Sequence, residues 1–306
     1  MHKTSPEQLA GIKHYLKQTS RNDSKPVKQI RQEMTEAAKN MPQHANVQIR
    51  KTMIGQISGE WIIPDNCDQE NDDRTILYFH GGGFVAGSCE FYRDLCSRIA
   101  ISSGVKVLNV EYRLAPEHPY PAANDDCLAA YRWLLASGYV SCNIMFGGDS
   151  VGGSLALMTL ISLRDNGEEL PAGAFLLSPH TDLVHLDGET YQSRAELDPT
   201  GSLEGNKRIL HDYLGSCTEE NPLLSPLRMN LELLPDLFIQ AGDQEVLLSD
   251  ALRFADRARA AGVAVELEVW ENMWTVFQFL AHLLPEAQQA IANIGSFVRA
   301  RLPERT

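Results

Sequence analysis

The chain has 306 residues, of which 43% are hydrophobic and 22% charged, the composition of an ordinary globular protein with room for one large α/β domain and a smaller lid. Lys and Arg number 27 and Asp and Glu 40, a formal net charge of −13, which leaves no basic surplus for binding a phosphate backbone or an anionic membrane surface. No apolar run nears the ~18 residues of a membrane span, and the mixed, charged start MHKTSPEQLAGIKHYLKQ has no signal-like apolar core, so a cytoplasmic protein is expected.

In chain order, residues 5–18 and 26–40 carry apolar side chains at helical spacing (Leu9, Ile12 and Leu16, then Ile30, Met34 and Ala37/Ala38), with Pro6 and Pro26 near their starts. Val47–Ile54 and Glu60–Ile63 alternate like antiparallel strands, with Gly59 expected between them. From residue 75 short apolar runs dominate: Thr75–Phe79, Val105–Val110, Ile144–Phe146, Ala174–Leu177 and Leu237–Gln240 suit strands buried on both faces. Helical stretches at 90–102, 124–136, 152–165 and 249–261 separate them, then a strand Val263–Trp270 and a helix at 286–301 follow. This alternation predicts an α/β fold, a mostly parallel sheet with helices on both faces. Residues 181–226, rich in Asp, Gly, Ser and Pro with a weak helix around 203–214, break the alternation. Together with residues 1–45 they are expected to form a helical cap over a core of 46–180 and 227–306.

Six cysteines (67, 89, 96, 127, 142 and 217) show no paired spacing, and reduced, mostly buried thiols are expected. The nine histidines form no metal-ligand pattern, and no cofactor is expected.

The strongest local signal is Gly148-Asp149-Ser150-Val151-Gly152-Gly153, between an apolar run and a helical one. A G-x-S-x-G turn presents its serine on a sharp strand-to-helix bend, and the flanking glycines let neighbouring backbone pass. Ser150 is the candidate nucleophile. His80-Gly81-Gly82-Gly83-Phe84 follows the run Thr75–Phe79. Such a loop can aim unobstructed amides at one spot, so Gly82, Gly83 and Val151 are candidate oxyanion-hole donors. His80 reads as an anchor of this loop.

These two motifs, with Glu111-Tyr112-Arg113-Leu114-Ala115-Pro116-Glu117-His118-Pro119-Tyr120-Pro121-Ala122-Ala123, resemble the hormone-sensitive-lipase-like (bacterial family IV) esterases, in register from about residue 75 to 300. The resemblance implies an α/β-hydrolase fold, a cap, and hydrolysis of small carboxylic esters, with the EYRLAPEHPYPAA segment as scaffold. It also raises the expectation of a homodimer through the C-terminal edge strand. Triad order in this superfamily is serine, acid, histidine. After the run Leu237–Gln240, the resemblance to relatives with an E-V-L-L turn puts Glu245 in the acid column, with Asp243 as the alternative.

The family's M-x-H-x-F pattern meets Met273-Trp274-Thr275-Val276-Phe277, so Thr275 stands where the histidine belongs. A threonine hydroxyl has no useful basicity at neutral pH. His282, seven residues on in an expected helix, and His180, His185 and His211, near the sheet edge or cap, are not expected to replace it. Two readings follow: an esterase of short to medium acyl esters, strongly impaired in this chain, or an inactive ligand-binding pseudoenzyme. The plant gibberellin receptors are similar to this family and also lack the triad histidine.

Overall fold

The computed structural model describes residues 3–21, 24–67, 73–216 and 221–302. Eight strands form one sheet in the order β1-β2-β4-β3-β5-β6-β7-β8. They are β1 (Val47–Ile54), β2 (Ile57–Pro64), β3 (Thr75–Phe79), β4 (Val107–Glu111), β5 (Ile144–Asp149), β6 (Gly173–Leu177), β7 (Asp236–Gly242) and β8 (Val265–Trp270). β1 and β2 are antiparallel to their neighbours, and β3 through β8 run parallel. The expected mostly parallel α/β sheet is therefore present.

Two apolar clusters lie on its two faces. One is built from α4 (Ala122–Ala136), α5 (Val151–Asp165) and α8 (Leu248–Ala260), the other from α3 (Cys89–Ser103) and α9 (Pro285–Arg301). Sandwiching leaves β3 wholly buried, which is why it reads as an unbroken apolar run. Local chemistry sets the helix ends. Ser88 caps α3 by accepting from the Phe91 amide, and Gly104 ends it at φ 70°. A capping box of Ser5 and Gln8 opens α1 (Pro6–Thr19), with Pro6 in its first turn.

The hairpin differs from the sequence expectation. Its turn is at Gly55 (φ 62°), and Gly59 lies inside β2. A Cβ there would come within 2.7 Å of the Ile54 side chain and 2.8 Å of the Asn109 carbonyl, so Gly59 serves strand contact rather than turning. The helix expected to carry His282 is also absent: that residue lies in a turn before α9. Cys67, Cys89, Cys96 and Cys127 are buried thiols and Cys142 an exposed one, while Cys217 lies outside the described residues.

Four remaining helices gather beyond the carboxyl ends of the strands. They are α1, α2 (Val27–Ala38), α6 (Thr190–Ser193) and α7 (Leu203–Leu214). Arg31 of α2 donates to the Val85 and Ala115 carbonyls and pairs with Glu117. Tyr213 of α7 stacks on Phe84 with ring centroids 3.7 Å apart. Among the described residues no helix is long and apolar enough to cross a membrane.

Candidate active site

Register aligns the strand ends that matter: Phe79 pairs with Gly148, Asp149 with Leu177, and Leu177 with Gln240. The segments after β3, β5, β6, β7 and β8 therefore emerge along one edge. That edge is where ligands bind in open α/β sheets.

Ser150 occupies the single residue between β5 and α5, at φ 51° and ψ −120°. This conformation costs a non-glycine residue about 1–3 kcal/mol and persists only where its surroundings impose it. They do so here. The Ser150 amide donates to the Leu177 carbonyl at 2.9 Å, and its own carbonyl accepts from the amides of Ser154 and His180, each at 3.2 Å. A Cβ on Gly148 would lie 2.4 Å from the Gly152 carbonyl oxygen, and one on Gly152 only 2.0 Å from that of Phe79. The bend thus needs both glycines. The positive end of α5 begins at Val151, beside the serine. Among the described residues nothing hydrogen-bonds the half-buried Ser150 hydroxyl.

The His80–Gly83 loop packs directly on this bend. Gly82 and Gly83 have φ of 104° and 66°, and a Cβ on Gly82 would lie 2.3 Å from the Ala86 carbonyl oxygen. His80 is buried, stacks on Tyr112 and donates from Nδ1 to the Gly81 carbonyl at 2.7 Å, while the Tyr112 hydroxyl donates to the His80 carbonyl. Burial pushes its imidazole below the ordinary value, as suits an anchor. Asp149 fastens the loop to the bend by accepting from the hydroxyls of Tyr78 and Tyr92 and from the Gly81 amide. Burial raises its carboxyl to about 6 against these hydrogen bonds. In the Glu111–Ala123 segment, the Ala115 amide donates to the Phe84 carbonyl and Arg113 is held by Asp126.

The two carboxylates after β7 have different surroundings. Asp243 accepts from the Asn272 amide at 2.7 Å and braces the turn after β8. Glu245 is fully buried. Its Oε2 accepts from the Ser178 hydroxyl at 2.7 Å and the Gly242 amide at 2.8 Å, while its Oε1 has no partner. Burial foremost, then the nearby charges of Asp198 and Asp250, push its carboxyl up to about 8.

Thr275 is half-buried, and its hydroxyl donates to Asp198 Oδ2 at 2.7 Å rather than to Glu245. Asp198 also accepts from the amides of Val246, Thr200 and Gly201, which ties the 198–201 turn to the turns bearing Glu245 and Thr275. Ser178, immediately after β6, accepts from the Val276 amide at 3.0 Å while it donates to Glu245. Asp198 and Ser178 were both missed in the sequence. Asp198-Pro199-Thr200 does read as a turn, but nothing in a single chain links it to position 275.

Among the described residues no histidine ring hydrogen-bonds the Ser150 hydroxyl or Glu245. The His180 ring turns to Tyr191, which in turn donates to Asp250, and burial lowers this imidazole to about 4. His185 bonds Asp182, His211 bonds Asp212 and His44 bonds Asp94, while His14 sits beside Gln18. His118 and His282 are exposed.

Known proteins share this architecture. A family model described as the alpha/beta hydrolase fold matches residues 76–279. An acetyl-hydrolase of Streptomyces hygroscopicus is 37% identical over 251 residues, 82% of each chain. An esterase of Acinetobacter venetianus is 35% identical over 269 residues, 88% of this chain and 87% of its own. The crystal structure of an esterase from the bacterial hormone-sensitive lipase family superposes with a TM-score of 0.92 at 39% identity, covering 98% of this chain and 99% of the other. With a sheet edge that carries the family's serine bend and glycine loop, and relatives at this level of identity, the chain belongs to the hormone-sensitive-lipase-like carboxylesterases of the α/β-hydrolase superfamily.

Proposed function

We propose that this chain binds short to medium acyl esters and attacks them through Ser150 to form an acyl-enzyme, but turns over slowly because Thr275 replaces the general base. The carrying observation is a pair of unpartnered groups: the Ser150 hydroxyl on its strained bend and the buried Oε1 of Glu245, with no described imidazole at either. In this reading the amides of Gly82, Gly83 and Val151 stabilise the tetrahedral oxyanion. Glu245, rather than Asp243, is the acid, because Asp243 is committed to the turn at Asn272. Residues 1–45 and 181–226 act as the cap. Support comes from Ile209 of α7, whose side chain lies within 3.0 Å of where a Cβ on Gly83 would be. A second copy would pair along β8, the edge strand at the C-terminal end of the sheet.

Losing one triad member typically costs about 10⁴–10⁶ in kcat. The test assays p-nitrophenyl acetate and butyrate with the unmodified chain and with Thr275→His. A gain of about 10³-fold or more in kcat, with KM little changed, is expected. Robust turnover by the unmodified chain that Thr275→His does not improve would refute the assignment of position 275. The alternative, a ligand-binding pseudoenzyme, is favoured by the same missing base. It would be supported by a folded but silent Thr275→His variant that binds a small acid tightly.

A further inference from the structure

We propose that the cleft between α3 and α9, on a flank of the sheet rather than at the strand edge that carries Ser150, is a binding site for a monocarboxylate with a short alkyl chain. The inference is independent of the chemistry proposed for Ser150. The cleft has a volume of about 330 Å³, at the small end of the range for small-molecule sites. α3 fixes its place. Tyr92, near the start of that helix, reaches Asp149 beside Ser150, and Arg98 lies six residues further along, about 9 Å down the axis.

The polar part of the cleft is built around Asp94, which is 1% exposed. Its carboxylate accepts from Arg98 Nε at 3.0 Å and lies 2.7 Å from His44 Nε2. This buried contact fixes both side chains from behind. The two terminal nitrogens of Arg98, His44 Nδ1 and the Asn46 side-chain amide are left without a partner among the described residues, and all three residues line the cleft. One turn further along α3 the wall changes character. Ser102 Oγ donates to the Ile291 carbonyl at 3.1 Å and Gln288 Nε2 to the Ala281 carbonyl at 2.8 Å, so these donors are engaged within the wall. Ile101, Ala281, Ile291 and Ala292 supply apolar surface there.

This lining selects the ligand. A guanidinium whose two terminal nitrogens are free offers parallel N–H groups that match the two oxygens of a carboxylate. Arg98 and His44 share the single carboxylate of Asp94, so the cluster holds at most one unit of net positive charge. A monoanion matches it, and a phosphate dianion would stay partly unneutralised in the cleft. An alkyl chain on the carboxylate then covers Ile101 and Ile291 and gains from leaving water. A neutral alcohol with the same chain lacks the head contact, and acetate lacks the chain.

The experiment is methyl NMR of the unmodified full-length chain labelled at the isoleucine δ1 positions and titrated with sodium hexanoate, with 1-hexanol and sodium acetate as comparisons. Ile101 and Ile291 are expected to shift along one saturating curve, with a dissociation constant of about 1 mM or tighter. Hexanol and acetate should each bind about 10-fold more weakly or less. Arg98→Met removes the fork, and Ala292→Trp fills the apolar part from an exposed helix position. Each should weaken hexanoate binding by about 10-fold or more. Ala292→Trp leaves the Asp94 cluster intact and decides alone should Arg98→Met fold poorly. Shifts confined to Ile209, beside Gly83, would place the carboxylate at the strand edge and overturn the proposal. Equal affinity for hexanol, shifts that never saturate, or binding unchanged by Ala292→Trp would overturn it as well. None of these measurements uses turnover, so failure of the Ser150 reading leaves them unaffected.

Discussion

Replacing Glu245 with glutamine tests the electrostatics of this buried carboxyl directly. The carboxyl is fully buried, and burial above all raises it from 4.5 to about 8. In the unfolded chain it releases its proton near pH 4.5, whereas the folded chain keeps it until about pH 8. The folded state therefore binds more protons across that window. The stability this group contributes is complete below pH 4.5 and is lost as pH rises toward 8. At about 1.36 kcal/mol per pH unit, 3.5 units correspond to about 5 kcal/mol. Glutamine mimics the protonated form: its carbonyl accepts from Ser178 and Gly242, and its amide takes the place of the unpartnered Oε1.

Glu245→Gln is therefore expected to match the parent near pH 4.5 and to exceed it increasingly up to pH 8.5, by roughly 5–10 °C in Tm for a chain of this size. Asp149 and Asp250, both raised to about 6, add a slope of their own between pH 4 and 6, but they are common to both proteins and cancel in the difference. Thermal unfolding at four or five pH values measures it. A difference independent of pH would show that Glu245 titrates normally. A difference that moves the other way, with the parent gaining on the variant as pH rises, would place an unrecognised cation beside the carboxylate.

Two further substitutions probe the frame. Gly152→Ala puts a Cβ 2.0 Å from the Phe79 carbonyl and must displace either the glycine loop or α5. A loss of several kcal/mol by urea unfolding is expected, and a change within about 0.5 kcal/mol would contradict the close packing. Asp149→Ala strands three buried donors, the hydroxyls of Tyr78 and Tyr92 and the Gly81 amide, each costing about 1–3 kcal/mol. It should also weaken the fall in stability between pH 4 and 6, because Asp149 is raised to about 6 and its contribution is lost as pH rises through that range. Urea midpoints at pH 5 and 8 check both statements.

What could be read from the chain follows from how local each cause is. The serine bend is legible because the residues it demands, two glycines flanking the serine, lie within 148–152 of the sequence, and the strands because burial on both faces forces continuous apolar runs. Gly59 misled because a glycine demanded by a neighbouring strand looks the same as one demanded by a turn. The true turn residue, Gly55, lies only four positions away. Asp198 and Ser178 were invisible for a different reason. Their contacts to Thr275 and Val276 cross 77 and 98 residues, and no periodicity or composition records a hydrogen bond over that separation. Distinguishing Glu245 from Asp243 likewise required knowing which carboxylate faces the turn at Asn272 and which faces Ser178.

The same separation explains how position 275 carries a threonine without disturbing the contacts around it. The Ser150 conformation is enforced by the Leu177 carbonyl, the His180 amide and two glycine contacts, none of which involves residue 275. Glu245 is held by Ser178 and Gly242, and Ser178 also secures the backbone at Val276. Asp198 gives the threonine hydroxyl a strong acceptor, so Thr275 leaves no stranded donor of its own. Glu245 Oε1 is left without a partner, and protonation at neutral pH relieves the cost of leaving it charged and buried. The fold and the geometry at Ser150 are thus held by contacts that do not involve residue 275. Reinstating a base at that single point should recover chemistry without rebuilding the scaffold.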